Sequence, residues 1–247
     1  MNQADASSLW GRVCVWARAI RAFSFTASLT PVVLGAMLAT DAHHVRWWLS
    51  PLVVLGCVLI HAATNLVSDA ADFRRGVDRP GTHGGSGVLV KGLLTAQQVF
   101  RVGVALFAIA ILIGLVLAWA RGTTVLWLGL VGVVGGFFYG GKSHGYKYIA
   151  LGDLMVFLLM GPLIVVGTHY TLTGLMSLKA LWVSLPIACL VTAILHANNL
   201  RDIAHDTACG VRTLACVLGF RGAKAESPAF RLSISSPTLT LNSPSIT

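Results

Sequence analysis

Six uninterrupted apolar runs decide what this chain can become. They lie at about Phe23–Thr40, Trp47–Val67, Val99–Ala120, Thr124–Tyr139, Leu154–Leu172 and Leu181–Asn198. Each approaches the ~20 residues an α-helix needs to cross bilayer hydrocarbon. There the backbone must satisfy its own hydrogen bonds, so only helices or closed barrels span it. The runs do not alternate apolar with polar, which argues against barrel strands. The expectation is an all-α, polytopic transmembrane bundle of about six spans. Only 11% of the 247 residues are charged and mean hydropathy is +0.77, whereas about a quarter of a soluble chain is charged.

Within the fourth run, Gly132 and Gly136 form a GxxxG pair, which predicts tight helix contact. Pro31, Pro162 and Pro186 fall inside spans, where neighbouring helices can re-satisfy the backbone. The N-terminus reads as no removable signal. Its Arg12, Arg18 and Arg21 with Trp10 and Trp16 suit a helix lying at the membrane interface. Residues 1–220 read as one transmembrane domain and 221–247, rich in Ser, Thr and Pro, as a disordered tail outside it. The five cysteines show no CxxC spacing and read as small buried hydrophobes.

Net charge is +9, yet the Lys and Arg lie between apolar runs and form no basic face, so nucleic acid is not the expected partner. Counted by side, fifteen fall with the N-terminus and only Arg46, Arg121 and Lys179 on the other. The positive-inside rule then places the N-terminus in the cytoplasm.

The acids are the informative residues. Of nine in the chain, Asp69, Asp72 and Asp78 fall within ten positions after the second run, and Asp202 and Asp206 follow the sixth. Asn65, Asp69 and Asp72 share one helical face, as do Asn198, Asp202 and Asp206. Two carboxylate faces at one membrane surface repel unless something positive lies between them. A hard cation such as Mg²⁺ suits this, held by one or two carboxylates and completed by phosphate oxygens. Arg74, Arg75, Arg79, Lys91, Lys142, Lys147, Arg201 and Arg212 come from the same side and could grip a diphosphate. The chemistry implied is transfer from a diphosphate leaving group. An allylic prenyl diphosphate would leave a carbocation for an electron-rich aromatic to attack, protected in a water-poor cavity. The bland reading is solvated charges at helix ends. An ion pathway is disfavoured by the apolar mid-span positions.

These residues resemble the UbiA superfamily of intramembrane aromatic prenyltransferases, most closely its 1,4-dihydroxy-2-naphthoate polyprenyltransferase branch of menaquinone biosynthesis. The resemblance is carried by RAFSFTASLTPVVLG (Arg21–Gly35), NLVSDAADFRRGVD (Asn65–Asp78), YGGKSHGYKYIALGD (Tyr139–Asp153), GPLIVVG (Gly161–Gly167) and LHANNLRDIAHDTACGVRTLACVLG (Leu195–Gly219). It implies Asp69, Asp72, Asp202 and Asp206 as catalytic Mg²⁺ ligands. It implies Asn65, Asp78, Lys91, Tyr139, Lys142, Lys147, Asn198, Asn199, Arg201 and Arg212 as substrate-binding residues. The partners implied are membrane lipid, a polyprenyl diphosphate and an aromatic acceptor, and the location a bacterial inner membrane with the site loops cytoplasmic. Ser68 stands where many members have Asn. The family has nine helices where six are read here, which makes an inactive truncated fragment the competing expectation. The same chemistry on 4-hydroxybenzoate is the nearer alternative, and a six-helix channel the distant one. His196, just before the second acidic motif, stands out among the span histidines. Asp153 reads equally as a helix cap or a site residue.

Overall fold

The computed structural model describes residues 8–81, 85–141 and 145–219. The expected tail and Lys142 lie outside the described residues. Ser8 opens α1 (Leu9–Ala19), its hydroxyl accepting from the Gly11 amide at 3.0 Å. Then come α2 (Thr26–Ala39), α3 (Ser50–Arg74), α4 (Ala96–Arg121), α5 (Thr123–Gly140), α6 (Gly152–Leu158), α7 (Ile164–Thr173), α8 (Leu178–Arg201) and the short α9 (Ile203–Ala208). Among the described residues six helical spans are long and apolar enough to cross a membrane, α6 and α7 together forming the fifth. They are joined by a π-turn, Leu159–Leu163, which contains Pro162. A π-turn absorbs the hydrogen bond a proline cannot donate.

Helix starts follow local chemistry. Thr95 and Gln98 make a capping box at the head of α4: the Gln98 amide reaches Thr95 Oγ1 at 3.2 Å and the Thr95 amide reaches Gln98 Oε1 at 2.9 Å. Ser177 caps α8. The single residue Gly122, at φ +95°, turns α4 into α5, a conformation that favours glycine.

Helix α3 is the axis of the bundle and runs seven residues past the expected Val67 boundary. That extension carries Asp69 and Asp72, both buried, on the helical face expected for them. A Cβ on Gly103 of α4 would lie 2.9 Å from Val67, and one on Gly140 of α5 would lie 2.5 Å from Ser68 Oγ. The expected GxxxG contact is displaced by a turn. Gly136 presses on Thr64 and Gly140 on Ser68, while the nearest atom to a Cβ on Gly132 is 3.7 Å away. The α5–α3 approach is therefore tightest at the end that carries the acids. There α1 buries Val15 and Ala19 against Leu66, Ala70, Val88, Leu89 and Val99.

The three cations of the other end are all engaged. Arg46 donates to Ala120 O at 2.6 Å, Arg121 to Thr171 O at 2.7 Å and to Leu172 O, and Lys179 pairs with Asp41 at 2.6 Å. Arg46 and Arg121 complete carbonyls at the C-termini of α4 and α7, where cations also complement the helix dipole.

Candidate active site

The C-termini of α3 and α8, the N-termini of α2, α4 and α6, and the C-terminus of α5 meet at one end of the bundle, and the acids are there. Asp69 (1% exposed) and Asp72 (6%) are buried carboxylates, each held by a cation. Arg21 Nη2 bonds Asp69 Oδ1, and the Ser86 amide donates to Asp69 Oδ2 at 3.0 Å. Lys147 Nζ bonds Asp72 Oδ2 and donates to Ser68 Oγ at 2.6 Å. Tyr148 donates to Asp72 Oδ1 at 2.6 Å, and Arg75 stacks over the Tyr148 ring at 4.0 Å. Ser68, at the family's Asn position, is thus a working part of this network.

Arg21 is the residue that sequence reasoning missed. It was counted only among the basic lead-in residues. It sits in the left-handed region, φ 54° and ψ 51°, between α1 and the turn Ala22–Phe25. Asn65 fixes that turn, its amide donating to Ile20 O at 3.0 Å. Asn65 therefore serves the acids by holding Arg21 in place. A strained residue aimed at a buried carboxylate is what functional sites collect. The signal that could have found it is its place at the head of the first quoted motif.

The second acidic motif is brought over the first by the backbone. His205 bonds Val77 O at 2.8 Å, and the Arg212 amide donates to Tyr148 O at 3.2 Å. His205 is thus a strap between the two motifs. Asp202 is chelated by its neighbour Arg201 at 2.8 and 2.7 Å. Asp206 faces Asp202 and lies within Coulomb range of Lys147 and Asp72. Burial, then Asp202, push its carboxyl up to about 6. Asp78 (8% exposed) is pushed up to about 6 by burial, then by Asp72 and Asp69. Tyr139, at the C-terminus of α5, stands beside this network. Its ring stands 5.7 Å from Lys147 Nζ and 5.5 Å from the Tyr146 ring.

The other expected residues stand further out. Lys91 is exposed and shares a pocket of ≈ 320 Å³ with Asp78, Arg79 and Gly85. Asn198, Arg201 and Arg212 are exposed. Asn199 donates to Asp153 at 3.0 Å, not to either motif. Asp153 is no helix cap. It is buried (4% exposed), and His196 Nδ1 meets its other oxygen at 2.7 Å.

The donor set is all oxygen: the carboxylates and the Ser68 hydroxyl. The Ser86 hydroxyl, beside Asp69, is buried with no hydrogen-bond partner. Among the described residues no three His, Cys, Asp or Glu side chains stand close enough to cage an ion. A hard cation completed by ligand oxygens fits such a site, and a thiolate or imidazole metal does not.

Fold and site together define a membrane-embedded helical bundle with a polar, carboxylate-and-cation site at one end. The chain belongs to the UbiA prenyltransferase family, which matches residues 28–241. It is 36% identical over 218 residues to UbiA prenyltransferase domain-containing protein 1 of Homo sapiens, covering 85% of this chain and 63% of that protein. It is 33% identical over 203 residues to the 1,4-dihydroxy-2-naphthoate octaprenyltransferase of Bacillus subtilis, covering 82% and 65%. The chain thus spans just under two thirds of these relatives' lengths. A solved structure of a UbiA homologue from Archaeoglobus fulgidus, bound to DMAPP and Mg²⁺, shares the fold. Its TM-score is 0.60 at 14% identity, over 88% of this chain and 74% of that one.

Proposed function

We propose that this chain transfers a polyprenyl group from a polyprenyl diphosphate to an aromatic acceptor, 1,4-dihydroxy-2-naphthoate, in menaquinone biosynthesis. One observation supports the reading: the segment carrying the second acidic motif is tied over the first at the end of an apolar bundle, His205 to Val77 O at 2.8 Å and the Arg212 amide to Tyr148 O at 3.2 Å. The bacterial relative's name supplies the acceptor.

Asp69, Asp72, Asp202 and Asp206 would hold Mg²⁺. When bound, the ion neutralises charge on the departing diphosphate. Arg21 and Lys147 hold the first two carboxylates in register, and are themselves cations that a diphosphate can meet. Tyr139, Tyr146 and Tyr148 form an aromatic wall beside Lys147, fit to shield a developing allylic cation from water and to stabilise it through ring faces. The apolar interior below accommodates the prenyl chain. The location proposed is a bacterial inner membrane, with the N-terminus and site loops cytoplasmic, as the cation asymmetry requires.

The test is prenyl transfer by the purified chain in lipid, with Mg²⁺, a long-chain prenyl diphosphate and a panel of acceptors including 4-hydroxybenzoate. The expected product is prenylated naphthoate, lost on adding EDTA. No product from this chain, with the Bacillus subtilis relative active alongside, would overturn the assignment. Preference for 4-hydroxybenzoate would overturn the acceptor.

A further inference from the structure

Asp153 differs from the acids of the two motifs in its company. Asp69, Asp72 and Asp202 each face a Lys or Arg. Asp153 instead takes its bonds from an imidazole and an amide, His196 Nδ1 at 2.7 Å and Asn199 Nδ2 at 3.0 Å. Both lie on one face of the last turns of α8, and Asp153 stands at the second residue of α6. Asp153 and His196 are 4% and 6% exposed, near the ends of two segments that cross the membrane. Ionisable groups buried within a span are costly, so a pair of them points to function.

Two features point to a ligand rather than a cross-link alone. A carboxylate offers about four lone-pair sites, and His196 and Asn199 use one on each oxygen. Asp153 also borders the same network: a Cβ on its neighbour Gly152 would stand 3.4 Å from the Cα of Lys147, whose ammonium bonds Asp72. It approaches from the α6 and α8 side, whereas the first acidic motif approaches from α3.

Resting on the proposed prenyl transfer, we infer that Asp153, oriented by His196 and Asn199, receives a hydroxyl of the aromatic acceptor. The ring carbon forms a bond to prenyl C1 as the C1–O bond breaks and its electron pair leaves with the diphosphate. Positive charge then spreads through the ring onto its hydroxyl oxygen, until the acceptor's carboxylate leaves as CO₂ and its bonding pair restores the aromatic ring. The hydrogen bond from that hydroxyl to Asp153 strengthens as the charge grows, so the carboxylate binds the transition state more tightly than the ground state. Asp153 accepts a hydrogen bond and takes no proton. Because carboxylate oxygens accept and do not donate, His196 carries its proton on Nδ1. His196 and Asn199 are positioning residues, and Asp153 is the group in contact.

Equilibrium binding to the full chain in detergent, with Mg²⁺ and inorganic diphosphate present, tests this. The probes are 1,4-dihydroxy-2-naphthoate, kept anaerobic, and its 1,4-dimethyl ether, which has no hydroxyl to donate. The wild-type chain should favour the dihydroxy compound by about 10- to 100-fold, the range for a hydrogen bond to a charged group. Asp153→Asn should cut that preference to about threefold or less while binding Mg²⁺-diphosphate as wild type does, which also shows that it folds. His196→Gln, which still donates to Asp153, should keep most of the preference. A wild-type chain that does not discriminate, or an Asp153→Asn chain that discriminates as well as wild type, overturns the inference. So does an equal loss of acceptor and diphosphate binding, which a merely structural role would give. Failure of prenyl transfer with acceptor discrimination intact would sink the proposed reaction and leave this hydrogen bond standing.

Discussion

Adding one methyl group at Gly140 should damage the site from outside it. An alanine Cβ there would stand 2.5 Å from Ser68 Oγ, 2.9 Å from Ser68 Cβ and 3.0 Å from Ser68 Cα. Ordinary Cβ contacts begin near 3.4 Å, so the backbone contact alone demands a shift of 0.4 Å. The Ser68 side chain cannot swing aside freely, because Lys147 donates to it at 2.6 Å. Either α5 moves off α3 or the Lys147–Ser68–Asp72 network breaks. Overpacking of this kind costs about 1–3 kcal/mol, which lowers Tm by about 2–10 °C in a chain of this size. The control is Gly129→Ala in the same helix, where a Cβ meets nothing within 4 Å. That change should be neutral, or stabilising by up to about 1 kcal/mol. Thermal unfolding in detergent, followed by tryptophan fluorescence, gives both numbers. Diphosphate-dependent stabilisation should shrink for Gly140→Ala and hold for Gly129→Ala. Equal behaviour of the two variants would refute the claim that α5 closes on α3 at the site.

Lys147→Met should cost about 3 kcal/mol, the scale for leaving a buried carboxylate without its partner. Mg²⁺ should then raise Tm more than it does in wild type, because Asp72 has lost its internal cation; an equal or smaller rise counts against the pairing. Asp78 titrates near 6 in the fold, above the usual carboxylate value, chiefly through burial. Its contribution is therefore complete below about pH 4 and is lost as pH rises through about 6, to a total of about 3 kcal/mol. Asp78→Asn should flatten that slope in stability measurements from pH 4 to 8; an unchanged slope would assign it elsewhere. Arg121→Gln, at the opposite end, should lower stability by about 1–2 kcal/mol through lost bonds to Thr171 and Leu172 carbonyls. Diphosphate binding should be untouched, and its loss would contradict the separation of the two ends.

The spans could be read from sequence because hydrocarbon imposes one length and one backbone solution on every segment that crosses it. The acidic motifs were readable for a related reason: in a chain with nine acids, clustering is informative. What composition does not encode is pairing. Charge asymmetry along the sequence assigns fifteen cations to the acidic side, and which of them meets a carboxylate depends on turns that no periodicity reveals. Arg21 reaches Asp69 because a left-handed residue follows α1. Lys147 reaches Asp72 because the short turn Tyr146–Tyr148 folds back on α3. Lys91 and Arg212, equally basic in sequence, end exposed.

The same logic explains why the two ends of the bundle differ in kind. At the cation-poor end, Arg46 and Arg121 meet only backbone carbonyls, and the exposed pair Asp41–Lys179 sits apart. The two arginines close the C-termini of α4 and α7 across 74 and 50 residues of sequence without meeting an acid. At the acidic end, Arg21 and Lys147 meet carboxylates 48 and 75 residues away, and each acid keeps further oxygen sites beyond the bonds it makes. Five carboxylates lie at this end, and Arg21, Lys147 and Arg201 pair with three of them. A bundle selected for stability alone would place apolar residues of similar volume there at no loss. The residual negative charge, set against exposed cations on the surrounding loops, is best accounted for by a ligand that brings both a cation and an anion to the site.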